Sequence, residues 1–108
     1  MARDVLGGFE HQVLLAVLRL GAEAYSLPIV LELEDRTGRR VAASKVYVTL
    51  RRLEDRGLVS SRFVPPPADD GGRDRRVFSL EPPGLDMLRE SKRILVDLWD
   101  GLPVLDES

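Results

Sequence analysis

The sequence predicts an α+β fold, mainly α, in one domain: three helices, a β-hairpin, then a longer fourth helix. Three observations carry this. Apolar residues recur at helical spacing in four segments, each closed by Gly or Pro. Two short stretches rich in β-branched and aromatic residues flank a Pro- and Gly-rich segment, as a hairpin requires. The chain has 108 residues, 44% hydrophobic and 31% charged, enough for one core and too ordinary in composition for disorder.

The first helix is expected over about Gly8–Leu20. Phe9, Val13, Leu14, Leu15, Ala16, Val17, Leu18 and Leu20 leave few polar breaks, so this helix should be central and buried on several sides. Gly21 ends it. Ser26 suits an N-cap of the second helix, and Pro28 fits its first turn. Ile29, Val30 and Leu33 share its inner face, and Gly38 stops it. The third helix starts at Ala42 to Ser44 and ends at Gly57. Val46, Leu50 and Leu53 form its core stripe at i, i+4, i+7. Ser44, Lys45, Val48, Arg51 and Arg52 project from the other side, Tyr47 sits on the flank, and Thr49 lies close to the core side.

Residues 58–64 read as a strand and 77–80 as its partner. The segment between them holds three prolines and two glycines and is too long for a tight turn, so a projecting, partly mobile loop is expected. The last helix runs from about Pro82 to Asp100, with Gly101 and Pro103 as stop signals. Its polar residues collect in a narrow sector. Leu85, Met87, Leu88, Ile94, Leu95, Val96, Leu98 and Trp99 spread over an arc wider than one core can use. Burial against a second copy of the chain is the simplest way to cover the surplus.

The net charge of −2 hides a concentrated pattern. Residues 1–35 and 81–108 are each net −4, residues 63–80 balance, and residues 36–62 carry seven Arg and one Lys against two acids. A solvated helix face explains such a run in general; a footprint for a polyanion backbone is the sharper reading.

Other classes lose support. There is no cysteine, hence no disulfide, thiolate zinc site or cysteine nucleophile. His11 is the single histidine and has no companion ligands for a metal. No phosphate loop, nucleophile elbow or base–nucleophile pair is present, so no enzyme activity and no cofactor are expected. No apolar run approaches the ~20 residues that span a bilayer, and residues 1–8 hold no signal-peptide core. A cytoplasmic protein without membrane association is expected.

Helix, helix, helix, strand, loop, strand, helix is the layout of a winged helix-turn-helix domain. The second and third helices form the helix-turn-helix, and the hairpin forms the wing. The basic window then covers the end of the second helix, the turn, the third helix and the first wing strand. In such a fold the third helix enters the major groove of double-stranded DNA. Lys45, Arg51 and Arg52 would meet phosphate or guanine, Ser44 would cap the helix or touch DNA, and Val48 shares the outward face. Thr49 could make a local or phosphate hydrogen bond. Arg73, Arg75 and Arg76, on a Gly-hinged loop, suit phosphate or minor-groove contact. A winged-helix module that binds an acidic protein and never touches DNA is the alternative.

The residues also resemble a family. Leu6-Gly7 to Glu10, followed by Val13-Leu14-Leu15-Ala16-Val17-Leu18-Arg19-Leu20-Gly21, is similar to the opening of the PadR-type transcriptional regulators. The strongest match is Glu32-Leu33-Glu34-Asp35-Arg36-Thr37-Gly38-Arg39-Arg40-Val41, continuing into the specific run Val46-Tyr47-Val48-Thr49-Leu50-Arg51-Arg52-Leu53-Glu54-Asp55-Arg56-Gly57-Leu58-Val59. Gly71-Gly72-Arg73 resembles the family's wing. Departures are Ser26 after the tyrosine, Pro28, Ala42 in place of a capping serine, and Asp74 beside the wing arginines. The resemblance covers about residues 6–100. It implies a dimeric DNA-binding regulator, usually a repressor, with residues 1–81 as the DNA-binding part and 82–108 as a dimerisation helix and tail in the same compact unit. It supports a phosphate contact for Tyr47. It implies dimerisation through the last helix, for which Leu88, Ile94, Leu95, Leu98 and Trp99 are the expected residues. Effectors in the family are often small aromatic or amphiphilic molecules at or near the dimer interface. A pocket role for Trp99 is the counterpart in this chain; packing is the ordinary role of such a residue.

Overall fold

Helix α1 spans Gly8–Leu20, as its apolar density predicts, and its first turn is closed by the Glu10 carboxylate, which accepts the Gly7 N–H at 2.8 Å. The computed structural model describes residues 5–66 and 72–102. After a 3-10 turn at Gly21–Glu23 come α2 (Ser26–Thr37), α3 (Ala43–Asp55), β1 (Val59–Val64), β2 (Arg75–Leu80) and α4 (Pro82–Trp99). The expected loop falls partly on residues 67–71 and the Pro103 stop signal on 103–108, both outside the described residues.

α1 packs against α2, α3, α4 and β2, the central position expected of it. Val13, Leu14, Ala16 and Val17 are buried, while Leu15 and Leu18 stay exposed, so its apolar girth exceeds what the domain itself covers. Val46, Leu50 and Leu53 are fully buried, as the stripe on α3 predicts. Ile29, Val30 and Leu33 of α2 and Phe78 of β2 complete the core with Leu58, Val59 and Leu88.

The helix-turn-helix is set by local hydrogen bonds. Gly38 takes the left-handed conformation (φ 71°) that a side chain resists, and its N–H donates to the Glu34 carbonyl at 2.9 Å. Glu34 then accepts the Val41 N–H through its carboxylate at 2.8 Å, tying the turn back to α2. One cap differs from expectation and one agrees with it. Tyr25, not Ser26, is the N-cap of α2; Ser26 is already helical, and Pro28 sits among the first four residues, whose N–H groups lack helical acceptors. Ala42 is the N-cap of α3 and supplies no side-chain bond.

The wing is a two-stranded antiparallel ribbon in which Val59 pairs Leu80, Ser61 pairs Phe78 and Phe63 pairs Arg76. β2 begins two residues before the predicted Val77. Arg75 and Arg76 enter the ladder opposite Val64 and Phe63, because pairing and stacking of their long stems overcome weak strand propensity. Beyond the core, β2 docks on the 3-10 turn through Phe78 N–H to the Ala24 carbonyl, 2.8 Å.

α4 leaves the body of the domain progressively. Gly84 and Leu88 are buried, whereas Leu95, Leu98 and Trp99 are 50%, 67% and 48% exposed. Leu88, expected in a dimer contact, belongs to the chain's own core; it lies near the start of α4, where the helix still rests on α1 and the turn before β1.

His11 of α1 and Ser91 of α4 are 2.7 Å apart, Nδ1 to Oγ. Burial holds the imidazole pKa below its ordinary 6.5. The neutral ring is therefore the native form. The stability it supports is complete above pH 6.5 and declines as acid protonates the ring more readily in the unfolded chain. Melting temperature should fall as pH drops from 7 toward 5, and His11→Gln should flatten that decline above the carboxylate range. An identical decline in the variant would exclude His11 as its source.

Candidate nucleic-acid interface

α3 presents a face opposite its core stripe on which Ser44, Lys45, Tyr47, Val48, Arg51 and Arg52 are all exposed. Thr49 differs: it is 4% exposed, because it lies between Val46 and Leu50 and turns into the same interior. It stands outside the solvent-facing surface. Ser44 is the second residue of α3 and does not cap it.

The expected cations fall into three situations. Arg52 forms no ion pair among the described residues and projects freely. Lys45 bends back, its ammonium 4.3 Å from the centre of the Phe9 ring, so it runs along the junction of α3 and α1. Arg51 is held: its Nη1 donates to the Tyr47 hydroxyl at 3.2 Å, and its Nε lies 3.5 Å from Glu54 Oε1.

The wing arginines separate in the same way. Arg73 is exposed outside the strands. Arg75 stacks over Tyr25 at 4.8 Å. Arg76 reaches back to α3, donating to the Tyr47 hydroxyl (3.4 Å), to Glu54 Oε1 (3.4 Å) and to Ser61 Oγ (3.0 Å). Strand register explains this. Residues 61, 63, 76 and 78 lie on one face of the ribbon, the face turned to α3, and Arg76 packs between the Phe63 and Phe78 rings, 5.3 and 5.9 Å away.

The Tyr47 hydroxyl oxygen thus accepts from two guanidinium groups, leaving its O–H to donate outward. The Arg51 hydrogen bond, aided by the charges of both arginines, lowers its pKa below the ordinary phenol value. Helix α3 and the wing present one cationic, donor-rich surface. The sequence reading missed Glu54 and Ser61 as parts of it. Glu54 was legible as the i+3 partner of Arg51; Ser61 needed the strand register. Arg39, Arg40 and Arg62 are also exposed and form no ion pair among the described residues; Arg62 lies on the opposite face of the ribbon from Arg76.

A second feature is an open groove of about 780 Å³ between the start of α1 and α4, lined among others by Leu6, His11, Met87, Ser91, Ile94 and Leu95. Leu98 and Trp99 are not among its lining residues. Among the described residues no cluster of His, Asp or Glu could hold a metal ion, and no helix is long and apolar enough to cross a membrane.

Three helices, a two-stranded wing and a trailing helix, with a basic recognition face, define a winged-helix protein of the transcriptional-regulator class. The chain belongs to the PadR-like family of transcriptional regulators, whose sequence pattern matches residues 14–90. It is similar to a PadR family transcriptional regulator from Eggerthella lenta, with 32% identity over 89% of this chain and 81% of that one, at a TM-score of 0.65. The fold is shared by a PadR-like transcription factor from Bacteroides fragilis (23% identity, 90% and 88% coverage, TM-score 0.70). A PadR-like regulator from Bacillus cereus shares it too (17% identity, 93% of each chain, TM-score 0.69). No curated protein matches the chain.

Proposed function

We propose that the protein is a homodimeric repressor that binds a pseudo-palindromic operator and is released by a small aromatic or amphiphilic effector. The observation that carries the reading is the joined surface of α3 and wing, where Tyr47, Arg51 and Arg76 converge beside the free Arg52. α3 lies in the major groove with Ser44, Val48 and Arg52 toward base edges. Lys45, Tyr47, Arg51 and Arg76 take phosphates, and Arg73 and Arg75 extend the contact along the wing.

Dimerisation uses the second half of α4. Ile94, Leu95, Leu98 and Trp99 are exposed there, more apolar surface than an isolated helix end keeps in water. Residues 1–81 thereby act as the DNA-binding part and 82–108 as the dimerising part. The groove beside α1 shares Ile94 and Leu95 with that face, so an amphiphilic effector seated in it would act on the spacing of the two recognition helices. Trp99 lies off this groove, and its role in the reading is packing between protomers.

The test is selection of bound duplexes from a random DNA pool by the purified protein, with its mass in solution measured alongside. The reading expects a dimer and an inverted repeat with half-site centres about 34 Å apart. A protein that enriches no motif at low salt would instead be an interaction module, and a monomer would exclude two-fold recognition.

A further inference from the structure

We propose that Glu54 is a positioning residue for DNA recognition, locking the wing to the recognition helix so that Arg51, Arg76 and Tyr47 address one phosphate as a unit. The inference rests on the DNA-binding reading and deepens it. Tyr47, Arg51 and Glu54 stand at i, i+4 and i+7 and so share one face of α3. Glu54 Oε1 meets Arg51 Nε at 3.5 Å and Arg76 Nη2 at 3.4 Å, while its Oε2 accepts the Ser61 hydroxyl at 2.8 Å. With the two bonds from the arginines to Tyr47, the contacts close a ring: Tyr47, Arg51, Glu54, Arg76 and back to Tyr47.

A carboxylate on a phosphate-binding face is unfavourable in itself, since it repels the backbone that the arginines attract. Its benefit is geometric. An arginine side chain otherwise gives up rotamer freedom when a phosphate fixes it. Glu54 restrains two of them beforehand, one on α3 and one on β2, at the solvent side of a junction whose inner side is the shared core. It also fixes how far the wing stands from α3, hence which phosphate the wing can reach while α3 is seated in the groove. Glu54 therefore favours the operator over random duplex at some expense of general affinity.

The test compares binding of the selected operator and of a random duplex by fluorescence anisotropy, in the parent and in Glu54→Gln. Random duplex should bind as tightly or up to a few-fold tighter, while preference for the operator falls about tenfold, the scale of one charge-assisted hydrogen bond. In an Arg76→Gln background the same change should alter that preference several-fold less, because only the restraint on Arg51 then remains. Ser61→Ala, which removes the hydroxyl between Glu54 and Arg76, should shift preference in the same direction and decides the matter alone if Glu54→Gln does not fold. Unchanged preference in a folded Glu54→Gln, or an equal drop with and without Arg76, overturns the proposal while DNA binding stands. A parent that prefers no duplex overturns the DNA-binding reading and this inference with it.

Discussion

Gly84→Ala should destabilise the protein by about 2–3 kcal/mol, lowering the melting temperature by about 10 °C or more. Helix propensity predicts the opposite sign, since alanine is favoured over glycine inside a helix by about 1 kcal/mol. The reason for the reversal is contact. A Cβ on Gly84 would stand 2.2 Å from the Leu58 carbonyl oxygen and 3.1 Å from its carbon. That carbonyl is backbone, and it already accepts the Glu81 N–H at 3.0 Å, so it cannot rotate aside. Relief requires the start of α4 to lift from the turn before β1, uncovering Leu58 and Leu88. Gly8, in the first turn of α1, is the control: nothing lies within 4 Å of its would-be Cβ, and Gly8→Ala should be neutral or stabilising. Thermal melts of the two variants decide it, and a stabilised Gly84→Ala would rule out the close approach.

The variant with Lys45, Arg51 and Arg52 all changed to Ala should lose about 10²–10³-fold in operator affinity near 0.1 M salt, with a flatter dependence on salt. Each phosphate neutralised contributes roughly −0.9 to the slope of log affinity against log salt, so the loss of six such contacts from the proposed dimer flattens it by up to about five. The three residues will not contribute equally. Arg52 is free, Arg51 is held by Tyr47 and Glu54, and Lys45 must leave Phe9 to reach a phosphate. Because all three are exposed, the variant should keep its circular dichroism spectrum. Undiminished binding across salt concentrations would remove α3 from the interface.

Much of this was legible in the chain. Val46, Leu50 and Leu53 marked the buried stripe of α3 through spacing alone, and spacing is the whole content of an amphipathic helix. Gly38 and Gly57 marked helix ends because their backbone conformations (φ 71° and 76°) suit glycine. The clustered arginines marked the basic face because charge is a property of residues, not of contacts. Thr49, expected only close to the core side, and Leu88, expected in a dimer contact, are both buried for one reason. Each lies at the edge of an apolar arc, and whether an edge position is covered depends on what the neighbouring element brings to it.

What residue order determined by itself was the sequence of elements, the core stripes, the basic window and the family match. These follow from local periodicity and composition, which act within a few residues along the chain. The tertiary structure alone decided that Glu54, Ser61 and Arg76 meet around Tyr47, that Lys45 lies on Phe9, and that only glycine fits at 84. Those contacts join residues brought together by the ribbon register and the docking of α4, and such distances are set by packing across the domain.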